Sequence, residues 1–159
     1  MVSLPLPSPR PARVAILGVG NDLNGDDGAG VFVVRALAAR LPAGPGVLLI
    51  DAGNAPESCT GPLRRFAPDL ILEIDAADTG GVPGTVTWLD WRDADGLSAS
   101  THTLPPSVLA EYLSAELGCR LVLIGVQPAT LEMSARLSPA VSAAVNELAE
   151  HLAGWLGFT

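Results

Sequence analysis

Four short apolar runs constrain the fold more than any other feature of this chain. They are five to seven residues long: RVAILG (13–18), VLLID (47–51), DLILEID (69–75) and RLVLIGV (120–126). Continuous apolar runs of this length are typical of strands buried on both faces, as in parallel sheets that are covered by helices. The runs therefore predict four buried strands.

Longer segments between and after these runs predict helices. One of them begins with Ser138 as a cap and Pro139 in its first turn. Another ends at Gly118, a residue type that favours the conformation found just past a helix. The predicted helices are 30–41, 57–66, 106–118 and 138–156. Because strands and helices are both present and no linker interrupts them, we expect one α/β domain.

The segment TVTWLDW (85–91) alternates apolar and polar residues and predicts a fifth strand. Fewer than ten residues separate it from the run that ends at Asp75, and a parallel crossover needs about a dozen or more. The fifth strand should therefore run antiparallel at an edge. The predicted fold is α/β, with a twisted, mostly parallel five-stranded sheet, one antiparallel edge strand and helices on both faces.

Composition and charge restrict the partners that this chain can have. Hydrophobic residues make up 48% of its 159 residues and charged residues 16%, which is typical of a well-buried globular protein. The formal net charge of −8 disfavours nucleic acid and anionic membrane surfaces, because both would repel the chain. No apolar run approaches the ~18 residues of a membrane span, so we expect no membrane insertion.

The N-terminus and the cysteines bear on localisation. Residues 1–12 are rich in proline and do not follow an export-signal pattern, so we predict a mobile arm ahead of a single domain, 13–159. Cys59 and Cys119 are far apart in the sequence and form no CxxC motif. Two isolated cysteines are typical of a reducing compartment, so we expect a cytoplasmic protein without disulfides.

The loop GVGNDLNGDDGAG (18–30) follows the first strand and resembles a phosphate-binding turn, but it carries three aspartates. Asp26 and Asp27 precede a helix, and capping of that helix would explain one of them. The loop also begins as a partial GxGxxG motif, and Asp51 closes the second strand, the position of a ribose-binding acid in dinucleotide sites. Adjacent acids repel pyrophosphate, however, which argues against a dinucleotide site.

The predicted topology brings two acids and a histidine to the same edge of the sheet. The loop of Asp27 leaves the carboxyl end of the first strand, and Asp75 ends the third. The antiparallel strand carries the chain away, and the loop 92–104 brings it back. The eleven residues that end at His102 reach roughly 36 Å at full extension, which is enough for this return. Two carboxylates and an imidazole suit a divalent cation such as nickel or zinc with open coordination positions. A turn-forming Asp75 and an ordinary loop His102 are the simpler alternatives.

At this point several segments, taken together and in order, resemble a known family, the hydrogenase maturation endopeptidases. The resemblance covers residues 13–152 and is greatest for the type that serves the hydrogenase of the formate hydrogenlyase complex. The segments are LGVGNDLNGDDGAGVFVVRAL, DAGNAPES, LILEIDAADTGGVPGTV, STHTLP and LVLIGVQP.

The resemblance implies an activity and a set of site residues. Members of the family remove a C-terminal peptide from the large-subunit precursor of a [NiFe] hydrogenase after nickel has been inserted. Their metal-binding and catalytic positions match Asp27, Asp75 and His102, and the nickel would be that of the precursor. Two alternatives remain at this stage: a non-catalytic factor that binds nickel and the precursor, and a nucleotide-dependent enzyme.

Overall fold

The computed structural model describes residues 1–94, 105–133 and 136–158. Its five strands form one sheet in the order β2-β1-β3-β5-β4. The strands are β1 Val14–Val19, β2 Val47–Gly53, β3 Leu70–Ala76, β4 Val86–Leu89 and β5 Arg120–Val126. The pairs β1–β2, β1–β3 and β3–β5 are parallel, and only β4 runs antiparallel to its neighbour β5. The predicted mostly parallel sheet with one antiparallel edge strand is confirmed.

The central strands β1 and β3 are buried along their whole length, as their apolar sequences predict. In register, Leu72 of β3 lies opposite Ile16 of β1 on one side and Val122 of β5 on the other. Because the three strands run in the same direction, their C-terminal ends meet at one edge of the sheet. We call this edge the carboxyl edge, and it carries the candidate site.

Helices cover both faces of the sheet, as expected. They are α1 Ala29–Arg40, α2 Thr60–Phe66, α3 Pro106–Leu117 and α4 Pro139–Trp155. Leu37 of α1 and Leu148 of α4 are buried in the core on one face. Leu63 of α2 and Leu113 of α3 are buried on the other face, in what we call the α2/α3 cluster. No helix in the described part of the chain is long and apolar enough to cross a bilayer.

The predicted ends of two helices are confirmed. Ser138 caps α4, because its side-chain oxygen accepts a hydrogen bond from the backbone N–H of Val141 at 3.4 Å. Helix α3 ends at Gly118, whose φ of 62° lies in the left-handed region that favours glycine. Strand β4 is shorter than its pattern suggested, since a 3₁₀ turn takes over at Trp91–Asp93.

The N-terminal segment 1–12 lies against α4 in the structure. Val2, Leu4 and Leu6 pack on the core of the α1/α4 face. The indole N–H of Trp155 donates a hydrogen bond to the backbone oxygen of Pro7 at 3.0 Å. These contacts connect the segment to the domain, and its mobility in solution stays a prediction.

Candidate functional site

Glycines let the loop after β1 fold tightly onto the carboxyl edge. Gly20 has φ +132°, and a Cβ at this position would stand 1.9 Å from the backbone oxygen of Asp27. A Cβ on Gly30, in the first turn of α1, would stand 1.9 Å from the backbone oxygen of Ile74. The start of α1 is therefore pressed against the end of β3, which only glycine permits. This contact brings the loop next to Asp75.

Asp26 and Asp27 lie in a 3₁₀ turn, Gly25–Gly28, that precedes α1. The residue at the cap position of α1 is Gly28, and no side chain caps that helix. The interpretation of one aspartate as a simple helix cap is therefore wrong. The reason is that the separate turn places both residues ahead of α1. There Asp26 accepts hydrogen bonds from the connection after β5, and Asp27 accepts one from Asn21 of the same loop.

Asp26 holds a distant part of the chain. Its side chain is 1% exposed. One carboxylate oxygen accepts a hydrogen bond from the N–H of Ala129 at 2.9 Å, and the other accepts one from the N–H of Ser138 at 2.7 Å. The glycine loop is thereby bonded to both ends of the connection between β5 and α4. Asp26 thus has a structural role at the carboxyl edge.

Asp27, in the 3₁₀ turn before α1, and Asp75, near the end of β3, supply two buried carboxyl groups at the carboxyl edge. Asp27 is 2% exposed, and its Oδ2 accepts a hydrogen bond from the N–H of Asn21 at 3.1 Å. Asp75 is 8% exposed, and its Oδ1 accepts one from the N–H of Ala76 at 2.8 Å. The 3₁₀ turn that carries Asp27 packs against β3. Two buried carboxylates at one edge favour a bound cation, because ionised acids repel each other away from water.

The third member of the predicted triad, His102, lies outside the described residues. Within residues 1–94, 105–133 and 136–158, no three His, Cys, Asp or Glu side chains meet as a metal site would require. The oxygen donors Asp27 and Asp75 fit a divalent cation, and the complete triad stays a prediction.

Gln127 organises the loop that follows β3. It is 6% exposed, and its side-chain oxygen accepts hydrogen bonds from the N–H groups of Thr79 and Gly81 at 2.8 and 3.2 Å. Its side-chain nitrogen donates to Asp78 at 3.0 Å. This bond, followed by one from the N–H of Gly80, lowers the pKa of the Asp78 carboxyl. Asp78 is thus a turn residue.

The sequence analysis did not single out Gln127. Its signal in the sequence is a lone amide between the apolar run of β5 and Pro128.

Glu73 is a second residue that the sequence analysis missed. It lies in the middle of β3, on the same face as Asp75 and as Ile71 of the α2/α3 cluster. Its side chain is 1% exposed, and Oε2 has no hydrogen-bond partner among the described residues. Burial raises the pKa of this carboxyl to about 8, so it is mainly protonated at pH 7. Its signal is the single acid within LILEI.

Arg35 of α1 connects the glycine loop to the end of β2. Its guanidinium pairs with Asp22 at 2.8 Å, and its Nε donates to Asp51 at 2.9 Å. Asp51 was the candidate ribose-binding acid of a dinucleotide site. Its pairing with Arg35 disfavours that function, as do the buried acids ahead of α1.

Known proteins resemble this chain in both sequence and fold. The sequence model of the hydrogenase maturation protease family matches residues 31–155. The hydrogenase 3 maturation protease of Escherichia coli K12 is 34% identical over 143 residues, which is 89% of this chain and 90% of that protein. The hydrogenase 2 maturation protease of the same organism is 32% identical and covers 88% of each chain.

Solved structures agree with these matches. The crystal structure of a [NiFe] hydrogenase maturation protease, HycI, from Thermococcus kodakarensis KOD1 has a TM-score of 0.84 and 35% identity, covering 92% of this chain and 94% of that one. The solution structure of the endopeptidase HycI from Escherichia coli has a TM-score of 0.80 and 32% identity, covering 91% and 92%. Fold and sequence define an α/β endopeptidase. The chain belongs to the hydrogenase maturation protease family, which confirms the family predicted from its motifs.

Proposed function

We propose that this chain removes a C-terminal peptide from the large-subunit precursor of a [NiFe] hydrogenase after nickel has been inserted. Asp27, Asp75 and His102 recognise the nickel that the precursor carries, so the metal is part of the substrate. The reaction takes place in the cytoplasm, in keeping with the free thiols of Cys59 and Cys119. The names of the relatives support hydrogenase maturation as the process.

The burial of Asp27 and Asp75 carries this proposal. The two carboxyl groups are 2% and 8% exposed at the carboxyl edge, one in the 3₁₀ turn before α1 and one near the end of β3. Carboxylates buried at the same edge need a proton or a cation to balance their charge. A cation that arrives with the substrate provides this balance only when a loaded precursor docks. The same electrostatics therefore explain why the protease would prefer the nickel-loaded form.

The chemistry at this site is the hydrolysis of one peptide bond. The oxygen of a water molecule bonds to the carbonyl carbon, the C–N bond breaks, and the departing amine gains a proton. Asp27 or Asp75 can take the proton from the water as a general base and pass it on. Nickel, when bound, supplies Lewis-acid polarisation. The hydrogen bond from the N–H of Asn21 holds the Asp27 carboxylate in its orientation.

Processing of the loaded precursor by variants tests the proposal. We expect Asp27→Asn and His102→Ala each to reduce the rate of fragment release about 100-fold or more, because each removes a proposed ligand. Asp90→Asn is the matched control, since it also removes one acid but from an exposed position beyond β4. Mass spectrometry of the released peptide measures the rate. Full-rate processing by both site variants would contradict the proposed site.

A calorimetric titration with nickel, with NAD as the control ligand, separates the alternatives. Nickel binding that is lost in His102→Ala, without a response to NAD, supports the site. A protein that binds nickel and precursor but releases no peptide would be a non-catalytic maturation factor. Saturable NAD binding that is indifferent to His102→Ala would indicate a nucleotide-dependent enzyme.

A further inference from the structure

We infer that four exposed apolar side chains at the carboxyl edge form a docking rim for an apolar, non-acidic segment of the precursor next to its nickel site. This inference rests on the proposed function and adds to it the surface that binds the precursor polypeptide. The docking rim consists of Leu23, Val82, Leu131 and Met133.

The exposure of these side chains is high for residues of their size. Leu23 is 76% exposed, Val82 75%, Leu131 47% and Met133 89%. Single exposed apolar residues are common on protein surfaces, but a group of them at one place marks an interaction site. In the described part of the chain only three other large apolar side chains are as open, and they lie on the N-terminus and on α3.

All four residues belong to loops that leave the carboxyl ends of neighbouring strands. Leu23 is in the loop after β1, Val82 in the loop after β3, and Leu131 and Met133 in the connection after β5. Since the order of these strands in the sheet is β1-β3-β5, the three loops are neighbours. The docking rim therefore lies on the edge that carries Asp27 and Asp75.

Hydrogen bonds tie the three loops together. Asp26 in the first loop binds the N–H groups of Ala129 and Ser138 in the third. Gln127, at the start of the third loop, binds Thr79 and Gly81 in the second. A surface whose backbone is already ordered loses little further conformational entropy when a partner binds. The loops are thus suited to present apolar side chains to a polypeptide.

The rim is also connected to the proposed nickel-binding acids. The N–H of Leu23 donates to the side-chain oxygen of Asn21, whose own N–H holds Asp27. A precursor that brings its metal to Asp27 therefore approaches the loop that carries Leu23.

Charge narrows the kind of segment that fits. The loops after β3 and β5 also carry Asp78, whose lowered pKa keeps it ionised, and the exposed Glu132, against one exposed cation, Arg136, among their described residues. The whole chain has a formal net charge of −8. An acidic occupant would be repelled at this edge, whereas an apolar segment without acids buries the rim at no such cost.

Two pairs of substitutions test the rim. Leu23→Ser with Met133→Ser forms one variant, and Val82→Ser with Leu131→Ser forms the other. The control is Tyr112→Ser on α3, because Tyr112 is 46% exposed but lies away from the loops. The probe is each nickel-loaded large-subunit precursor of the source organism. The readouts are its dissociation constant, KM and kcat for processing, the melting temperature and the affinity for nickel alone.

We expect each rim variant to raise KM and the dissociation constant about 10-fold or more, since each removes two apolar side chains from a buried contact. The kcat and the affinity for nickel should stay within about twofold of the wild type, and the melting temperature within about 2 °C, because exposed side chains contribute little to them. The control should match the wild type in KM, kcat and both affinities. Its melting temperature should fall slightly, because the Tyr112 hydroxyl accepts a hydrogen bond from Arg64 at 2.7 Å.

The outcomes separate the rim from the proposed function. If the wild type cleaves a precursor and both rim variants keep its KM, the rim inference is overturned and the proposed function stands. If the wild type binds a precursor without cleaving it and the rim variants bind it more weakly, the endopeptidase function fails and the rim stands. A wild type that neither binds nor cleaves any precursor overturns both. Rim variants that change only self-association would make this face an interface between copies, which also overturns the inference.

Discussion

Asp26 and Glu73 are equally buried, at 1% exposure each, but the regions around them differ in the hydrogen-bond donors that they offer to a carboxyl group. Asp26 is at the carboxyl edge, where two backbone N–H groups donate hydrogen bonds to its two oxygens. Glu73 is in the middle of β3, where burial raises its pKa to about 8. Equal burial therefore accompanies two backbone hydrogen bonds at one carboxyl group and a raised pKa at the other.

The difference comes from the supply of hydrogen-bond donors. The backbone of β3 around Glu73 pairs with β1 on one side and with β5 on the other. Its N–H groups are used in the sheet, so none is left for a side chain in the strand interior. At the carboxyl edge the ladders end, and loop N–H groups point toward side chains. The candidate site is built where donors are available, and its acids Asp27 and Asp75 both accept backbone bonds there.

Removing the Asp26 carboxylate, which accepts two backbone hydrogen bonds at the carboxyl edge, should change the unfolding free energy more than any other substitution below. Asp26→Ala leaves the N–H groups of Ala129 and Ser138 without their acceptor, and we expect a loss of about 4 kcal/mol in unfolding free energy. Chemical denaturation at pH 7 measures it. Asp26→Asn should lose less, because an amide still accepts one of the bonds. A loss below about 1 kcal/mol in Asp26→Ala would show that the two hydrogen bonds of Asp26 do not stabilise the carboxyl edge.

Replacing Glu73 by leucine should have the next largest effect on the unfolding free energy, and should increase it rather than lower it. The folded protein keeps the Glu73 proton up to about pH 8, whereas the unfolded chain releases it near the ordinary value of 4.5. Unfolding free energy should therefore fall by about 1.4 kcal/mol per pH unit between these values, through this group alone. Glu73→Leu should remove this slope and increase the unfolding free energy by roughly 3 kcal/mol at pH 7.

Denaturation curves of metal-free protein at pH 5, 6, 7 and 8 measure the Glu73 effect. Glu73→Gln is the control, because it removes the titration but keeps a polar group in the core. It should flatten the pH dependence without the full gain of Glu73→Leu. A wild type and a Glu73→Gln variant with parallel pH profiles would contradict the elevated pKa.

Gln127 tests whether a side chain can replace the backbone as a donor. Gln127→Ala removes the hydrogen bond to Asp78 that is the main cause of the lowered pKa of that carboxyl. The pKa of Asp78 should rise toward its ordinary value, as NMR titration would detect. We also expect a loss of about 2 kcal/mol, since Thr79 and Gly81 lose their acceptor. An unchanged Asp78 titration would mean that the bond from Gly80 alone lowers this pKa.

Arg35 should show the smallest effect, because its ion pairs are exposed. The side chain is 48% exposed, and its partners Asp22 and Asp51 are 36% and 39% exposed. Arg35→Ala should cost about 1 kcal/mol or less and should cost still less at high salt. Thermal melts at low and high ionic strength measure this. A loss above about 2 kcal/mol that persists at high salt would show that the contacts of Arg35 stabilise the fold strongly, as we expect for those of Asp26.

Local patterns in the sequence were enough to predict most of the fold. The four apolar runs are β1, β2, β3 and β5, because a strand buried on both faces must be apolar throughout. The short link after Asp75 required an antiparallel β4, since so few residues cannot cross the sheet. The cap at Ser138 and the helix end at Gly118 follow from their own side chains and backbone.

The roles of the individual acids depended on the tertiary structure. Asp26 and Asp27 are adjacent and chemically identical. Only the position of Ala129 and Ser138, more than a hundred residues away, makes Asp26 the residue that bonds the glycine loop to the connection after β5. Glu73 is the single acid inside the apolar run of β3, and its raised pKa arises from its burial in the folded chain. The sequence by itself determined the strands, the helices and the family motifs, because these are local or repeated patterns. The hydrogen-bond partners of the carboxyl groups and the raised pKa of Glu73 were decided only in the folded chain, because they depend on donors and burial that distant segments provide.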